Sequence, residues 1–360
     1  MERFFCKTKI FSGPGSLSVL ADLHIGKLLI VTDPYFSENG TAQRIGAFSQ
    51  AGQVEIFSQV APDPSVELAA QGTQVVRTFA PDAILALGGG SAMDCAKAMA
   101  YFSETSAQLI AVPTTSGSGS EVTDFAILTH NGVKHPLVDE KLQPNIAILD
   151  SDLLTSLPPK LIADTGFDLI SHALEAWAAT GASPMSDALA LEALSIAFAQ
   201  LPRSFAGAQE ARQKVHTAAT RAGMAFSCAG LGLCHAISHA LGGEFHTPHG
   251  RLNAILLPAV LDVNGEKALH RYGLLARRLG CSGGADPMAM RSLKNSLLQL
   301  RRSLGLPQTL AEAGILPRQL RNKMEAITAA ALADPCCRTN PVKPEAHHVR
   351  QVLHQVMGHD

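Results

Sequence analysis

Four of the chain's 14 histidines, His235, His239, His246 and His249, fall inside the single run CHAISHALGGEFHTPH. Even spreading would put about one there. His235 and His239 are four residues apart, which places them on one face of a helix. Gly242 and Gly243 read as the end of that helix, letting the chain turn back and bring His249 toward the same point. Upstream, Asp168 and His172 in TGFDLISHALEAW repeat the spacing, so a carboxylate and an imidazole lie one above the other. One Asp–His pair and one His–His pair supply the donors that Fe²⁺ or Zn²⁺ prefers. Alone, an Asp-x-x-x-His is more often a surface pair, and a histidine near a helix end more often a cap. Their joint occurrence in a charge-poor chain points to a metal. Spacing does not choose four ligands among Asp168, His172, His235, His239 and His249.

A second chemistry is written in glycine. LALGGGSAMDCAK sets Gly88, Gly89 and Gly90 directly after a strand-like run, with Ser91 opening a helix. Exposed backbone N–H groups at a helix N-terminus suit a pyrophosphate. The run is not GxGxxG, and glycines after strands also serve tight turns. PTTSGSGSEVT (113–123), dense in hydroxyls and glycine, follows the next strand-like run, so the two stretches would border one crevice. Asp33, ending an earlier strand-like run, stands where a carboxylate accepts adenosine ribose hydroxyls; an ordinary turn aspartate is the plain alternative. Together these features favour a dinucleotide.

The elements that must position these groups divide the chain in two. Strand-like runs at 27–33, 54–60, 82–90, 108–115 and 145–150 alternate with helical patterns, and Ser65 and Ser91 sit where N-caps belong. That alternation predicts a parallel, doubly wound sheet with ligands at the strands' carboxyl ends. After LLTSLPPK strand-like runs almost vanish, and helical candidates span 160–179, 185–200, 209–226, 231–243, 265–279, 286–303, 317–332 and 345–357. The expected organisation is an α/β dinucleotide-binding domain over 1–157 and an all-α metal-binding domain over 158–360. The 360 residues are 46 % hydrophobic and 17 % charged, with net charge −2, a balance that excludes disorder and a basic nucleic-acid surface. Seven cysteines without a CxxC spacing read as reduced thiols of a cytoplasmic protein. MERFFCKTKIF lacks a signal-peptide h-region, and RLNAILLPAVLDVNG is too short for a membrane span.

The ordered set GGGSAMDCAK, PTTSGSGSEVT, GFDLISHALEAW and GLGLCHAISHALGGEFHTPHG resembles the iron-containing (group III) alcohol dehydrogenase family. The resemblance runs from GPGSL to CCRTNP, nearly the whole chain. GMAFSxAGLGLxHA and ALADxxxRTNP narrow it toward the microcompartment-type 1-propanol/ethanol dehydrogenases. It implies a dehydroquinate synthase-like architecture and metal ligands Asp168, His172, His235 and His249. His239 would then be a catalytic proton relay beside the metal, and His246 pocket lining. For NAD(H) it implies Gly89, Gly90, Ser91, Asp94, Thr114, Thr115, Ser118, Thr123 and Lys134, with Leu153 at the nicotinamide end and Asp63 on the adenosine side, beside Asp33 read from its strand-end position. Ser118 departs from the usual threonine but keeps the hydroxyl. Arg251 and Leu252 stand beside His249 where small or aliphatic residues are common, leaving open whether Arg251 alters the pocket or reaches solvent.

The activity implied is hydride transfer between NAD(H) and a short-chain primary alcohol or aldehyde, 1-propanol or ethanol, on Fe²⁺ with Zn²⁺ as the alternative metal. A homodimer or higher homo-oligomer, microcompartment enzymes or shell as partners, and no nucleic acid or membrane complete the expectation. A zinc polyol dehydrogenase of the glycerol type, a dehydroquinate-synthase-like lyase and a non-catalytic metal- and nucleotide-binding scaffold are the competing readings.

Overall fold

In the computed structural model, which describes residues 4–130, 132–281 and 283–359, the chain alternates short strands and helices up to Leu149. The elements are β1 (Lys9–Ser12), β2 (Lys27–Thr32), α1 (Pro34–Glu38), α2 (Thr41–Phe48), β3 (Gln53–Phe57), α3 (Val66–Phe79), β4 (Ala83–Gly88), α4 (Gly90–Ser103), β5 (Gln108–Pro113), β6 (Phe125–His130), β7 (Val133–Val138) and β8 (Ile146–Leu149). Six strands form one parallel sheet in the order β1-β8-β5-β4-β2-β3. Alternate residues of the central strands feed two cores. Leu29, Val31, Ile84 and Ala86 pack with Val76, Met93 and Met99 on one face. Leu28, Ile30, Leu85 and Leu87 pack with Leu20 and Ile45 on the other. Burial on both faces explains why these strands are continuously apolar in sequence.

Ser65 caps α3 as expected, accepting from the Leu68 N–H at 3.1 Å. Ser91 does not cap α4. Gly89 holds that position and Gly90 opens the helix, because Gly88, at φ 150°, has already made the turn. The sequence pattern gave no sign of β1, whose residues are all exposed at the sheet edge, or of the half-buried β6–β7 hairpin. The exposed β1 has only two apolar residues, Ile10 and Phe11, and β7 is broken by Pro136, so neither carries a sustained apolar run.

From Pro158 onward lies a second compact unit, separate from Phe5–Leu157. It contains α5 (Pro159–Ala178), α6 (Pro184–Phe205), α7 (Gln209–Ala229), α8 (Leu233–Phe245), α9 (His249–Arg278), α10 (Asp286–Ser303), α11 (Pro317–Ala333) and α12 (Ala346–Val356). Pro158 and Pro159 suit a helix start, where a missing N–H costs nothing. Two expectations need correction here. Gly242 and Gly243 lie inside α8, which ends at His246 in the left-handed conformation, its N–H on the Gly242 carbonyl at 2.9 Å. Packing of the buried Gly242 turn outweighs the modest helix penalty of glycine. His246 is exposed at that helix end. α9 begins not near residue 265 but at His249, and runs for 30 residues. Its first half is buried nearly all round, so it shows no amphipathic period. Among the described residues no single helix is long and apolar enough to cross a membrane.

Candidate active site

In the helical unit, three imidazoles converge on one carboxylate oxygen. Asp168 Oδ1 stands 3.9 Å from His172 Nε2, 3.9 Å from His235 Nε2 and 3.6 Å from His249 Nε2. A tetrahedral ion with bonds of about 2.1 Å separates its ligands by about 3.4 Å. Asp168, His172 and His235 offer donor atoms that all lie within 4.8 Å of one another, and His249 approaches the same Asp168 oxygen. The amide nitrogen of Asn253 sits among them, 2.9 Å from Asp168 Oδ1, 3.1 Å from His249 Nε2 and 3.4 Å from His235 Nε2. Several lone pairs aimed at one N–H₂ group is a donor set suited to a cation. His235 is 1 % exposed and His249 27 %, so the set is most open on the His249 side.

Each ring is fixed from behind. Glu175 Oε2 lies 2.5 Å from His235 Nδ1, and the same carboxylate accepts backbone N–H groups from Gly232 and Cys234. Burial pushes His235 down to about 3, so its ring is neutral. Its proton sits on Nδ1, facing Glu175, and its Nε2 lone pair faces the cluster. Burial raises Glu175 to about 7 against the pull of those backbone donors. Ser238 Oγ holds His249 Nδ1 at 2.9 Å. His172 is stacked between Phe226 and His235, with ring centroids 4.3 and 4.5 Å away. His239 stacks on His249 at 5.0 Å and pairs through Nδ1 with Asp334 Oδ2 at 2.8 Å. Burial raises the Asp334 carboxyl, but hydrogen bonds from His239 and the Cys336 N–H outweigh it and hold it at about 2.

His239, Asp334 and Cys336 form a second close donor group. Burial there pushes the Cys336 thiol well above its ordinary value.

In the α/β unit the glycine turns meet as their spacing implied. β4 pairs with β5, and Thr114 N–H donates to the Gly88 carbonyl at 2.9 Å. A Cβ on Gly89 would stand 3.2 Å from Thr115 Oγ1, and one on Gly90 3.3 Å from Ser118 Oγ. Asp33 caps α1 through the Phe36 N–H at 3.1 Å, and its other oxygen is 3.9 Å from where a Gly88 Cβ would stand. Ser91 lies in the first turn of α4, and Leu153 packs at the margin of the sheet's core.

Other expected contacts are occupied internally. Asp94 accepts from Ser120 Oγ at 2.8 Å and the Ile127 N–H at 3.2 Å. Thr123 is fully buried, its hydroxyl accepting from Lys97 Nζ at 2.9 Å, so it supports the loop from inside. Lys134 and Asp63 pair with each other at 2.7 Å. Sequence reasoning passed over Lys97, Glu175, Ser238, Asn253 and Asp334. Three of them left a helical-spacing signal: Glu175 follows His172 by three residues on α5, Ser238 follows His235 by three on α8, and Asn253 follows His249 by four on α9.

Two family descriptions match the chain: iron-containing alcohol dehydrogenase over residues 7–151, and the C-terminal region of the Fe-containing alcohol dehydrogenase family over 162–357. The chain is 38 % identical to the 1-propanol dehydrogenase PduQ of Salmonella typhimurium, covering 99 % of this chain and 100 % of that protein. It is 37 % identical to an NADPH-dependent butanol dehydrogenase of Clostridium saccharobutylicum, over 98 % and 97 %. Its fold matches that of sulfoacetaldehyde reductase from Bifidobacterium kashiwanohense, solved with NAD⁺, at a TM-score of 0.90 and 26 % identity over all of both chains. The chain belongs to the iron-containing alcohol dehydrogenase family and is an oxidoreductase acting on CH–OH groups.

Proposed function

We propose that this protein transfers a hydride between NAD(H) and a short-chain primary alcohol or aldehyde, with Asp168, His172, His235 and His249 holding Fe²⁺. The observation that carries the reading is the approach of three imidazole Nε2 atoms to Asp168 Oδ1, at 3.6 to 3.9 Å. A divalent ion there supplies Lewis acidity, which acidifies an alcohol hydroxyl or polarises a carbonyl. One carboxylate and three neutral imidazoles leave that acidity in place. Glu175 and Ser238 keep the Nδ1 sides of His235 and His249 occupied, so that both rings present Nε2. His239, with Asp334 on Nδ1, has its Nε2 available to pass the substrate proton toward solvent.

For the nucleotide, the turn at Gly88–Gly90 and the hydroxyls of Ser91, Thr114, Thr115 and Ser118 fit a pyrophosphate and ribose, the Lys134–Asp63 pair lies on the adenosine side, and Leu153 lines the nicotinamide end. Asp33 supports NAD(H), because a carboxylate there repels a 2′-phosphate. Likeness to propanol and butanol dehydrogenases supports the short-chain substrate. Self-association through the N-terminal segment belongs to the same reading, supported by exposed Phe5, Ile10 and Phe11 on and before edge strand β1.

The test is anaerobic reconstitution with Fe²⁺ or Zn²⁺, following NADH consumption with propanal, acetaldehyde and a hydroxyketone. Iron-dependent turnover of the simple aldehydes is expected. Zinc-dependent activity confined to the hydroxyketone would move the protein to the polyol class. Asp168→Ala and His249→Ala are expected to lose bound metal and turnover together. A metal-free variant with full turnover would sink the mechanism.

A further inference from the structure

Arg251 follows Gly250 in the first turn of α9, which opens with His249. Its guanidinium is forked onto one carboxylate: Nε donates to Asp164 Oδ1 at 3.1 Å and Nη2 to Asp164 Oδ2 at 2.6 Å. The side chains are 13 % and 8 % exposed. Asp164 lies on α5 one turn before Asp168. The pair therefore joins the turn preceding one proposed ligand to the turn carrying another.

Two neighbouring contacts show how closely the helices are seated. A Cβ on Gly250 would stand 2.0 Å from the Asp164 carbonyl oxygen, so backbone meets backbone there. Asn253, one turn further along α9, donates to Asp168 at 2.9 Å. Of these three attachments, only the Arg251–Asp164 fork has two parallel bonds in a fixed plane, and so constrains rotation as well as distance. Slip of α9 along α5, or rotation about its own axis, carries His249 Nε2 away from Asp168 Oδ1. A buried ion pair is a weak source of stability, since desolvation offsets its attraction. Fixing orientation is what the two-point geometry does best.

We infer that Arg251 and Asp164 are positioning residues that set the register of α9 on α5 and so hold Asp168 and His249 at chelating distance. This rests on the ligand reading above. The prediction concerns metal affinity separately from fold stability.

The experiment uses the full chain freed of metal, with Zn²⁺ as an air-stable probe. Thermal midpoint and Zn²⁺ affinity, by competition with a chromophoric chelator, are measured for Arg251→Ala, Asp164→Ala, the double alanine variant and Arg251→Lys. Each single alanine leaves one buried charge unpaired, so both readouts fall. The double variant has no such charge, and its midpoint returns close to wild type while its Zn²⁺ affinity stays about 10- to 100-fold weaker. Arg251→Lys keeps the charge without the fork, so it holds its midpoint and loses a smaller factor in affinity. A double variant binding Zn²⁺ as tightly as wild type overturns the inference. Should the double variant fold poorly, wild-type affinity in Arg251→Lys does the same. Asp168→Ala separates the layers: if it too binds Zn²⁺ at wild-type strength, the ligand reading falls and takes this one with it. If it loses Zn²⁺ while the double variant keeps it, only the positioning role falls.

Discussion

Glu175, Ser238 and Asp334 do the same work on three different rings, each occupying an Nδ1, at 2.5, 2.9 and 2.8 Å, and in His235 and His249 this turns Nε2 toward Asp168 and Asn253. A ligating imidazole held in this way loses both its tautomeric and its rotational freedom before any ion arrives. Glu175→Gln keeps the shape and removes the charge. It is expected to weaken metal binding about 10- to 100-fold, measured by chelator competition; unchanged affinity would show that Glu175 serves only the backbone of Gly232 and Cys234. On the nucleotide side, Asp33→Gly is expected to raise the ratio of NADP to NAD turnover, and a constant ratio would remove Asp33 from the ribose site. These partners were hidden in the sequence for a physical reason. A buried polar side chain is satisfied by whatever folds against it, and Glu175 and His235 are 60 positions apart, Asp334 and His239 95. Asp168–His172 and His235–His239 were legible because their geometry is local to one helix.

At the scale of elements, α4 and the loop after β5 are tied by one lysine. Lys97 Nζ donates to Ser120 Oγ, to the carbonyl and hydroxyl of Thr123 and to the Phe125 carbonyl, all between 2.9 and 3.0 Å. Lys97→Met would orphan these acceptors and is expected to cost about 3 kcal/mol, read by urea unfolding. Burial lowers Lys97 from 10.5 to about 8. Between those values the unfolded chain binds more protons than the folded one, so this group makes stability rise with pH from about 8 to 10.5. The variant should lack that part of the slope, and an identical slope would place the titration elsewhere. Which elements the sequence disclosed follows the same logic of environment. Central strands and amphipathic helices announce themselves through periodicity. The exposed edge strand β1 and the evenly buried start of α9 have none, and the glycines of α8 misdirect because packing overrides propensity.

At the scale of the molecule, the two chemistries belong to different compact units. Every proposed metal ligand follows Pro158, and every proposed nucleotide contact precedes it. Each ligand should therefore protect its own unit. Calorimetry is expected to show chelation lowering the transition of the helical unit while saturating NADH raises that of the α/β unit, by about 2.7 kcal/mol at a hundred times Kd. One transition answering to both would show that the units melt together. The helical unit also has an internal ruler. Asp164, Asp168, His172 and Glu175 all lie on α5, and at about 100° per residue they fall within about 80° of one another around its axis. One residue inserted between Asp168 and His172 would swing everything beyond it by about 100°. It would strip the centre of a donor and of the anchor of another in one step. Insertions are thus expected to be tolerated in places such as the turn at Gly207, where an added Cβ would meet nothing within 4 Å, whereas α5 must keep its count.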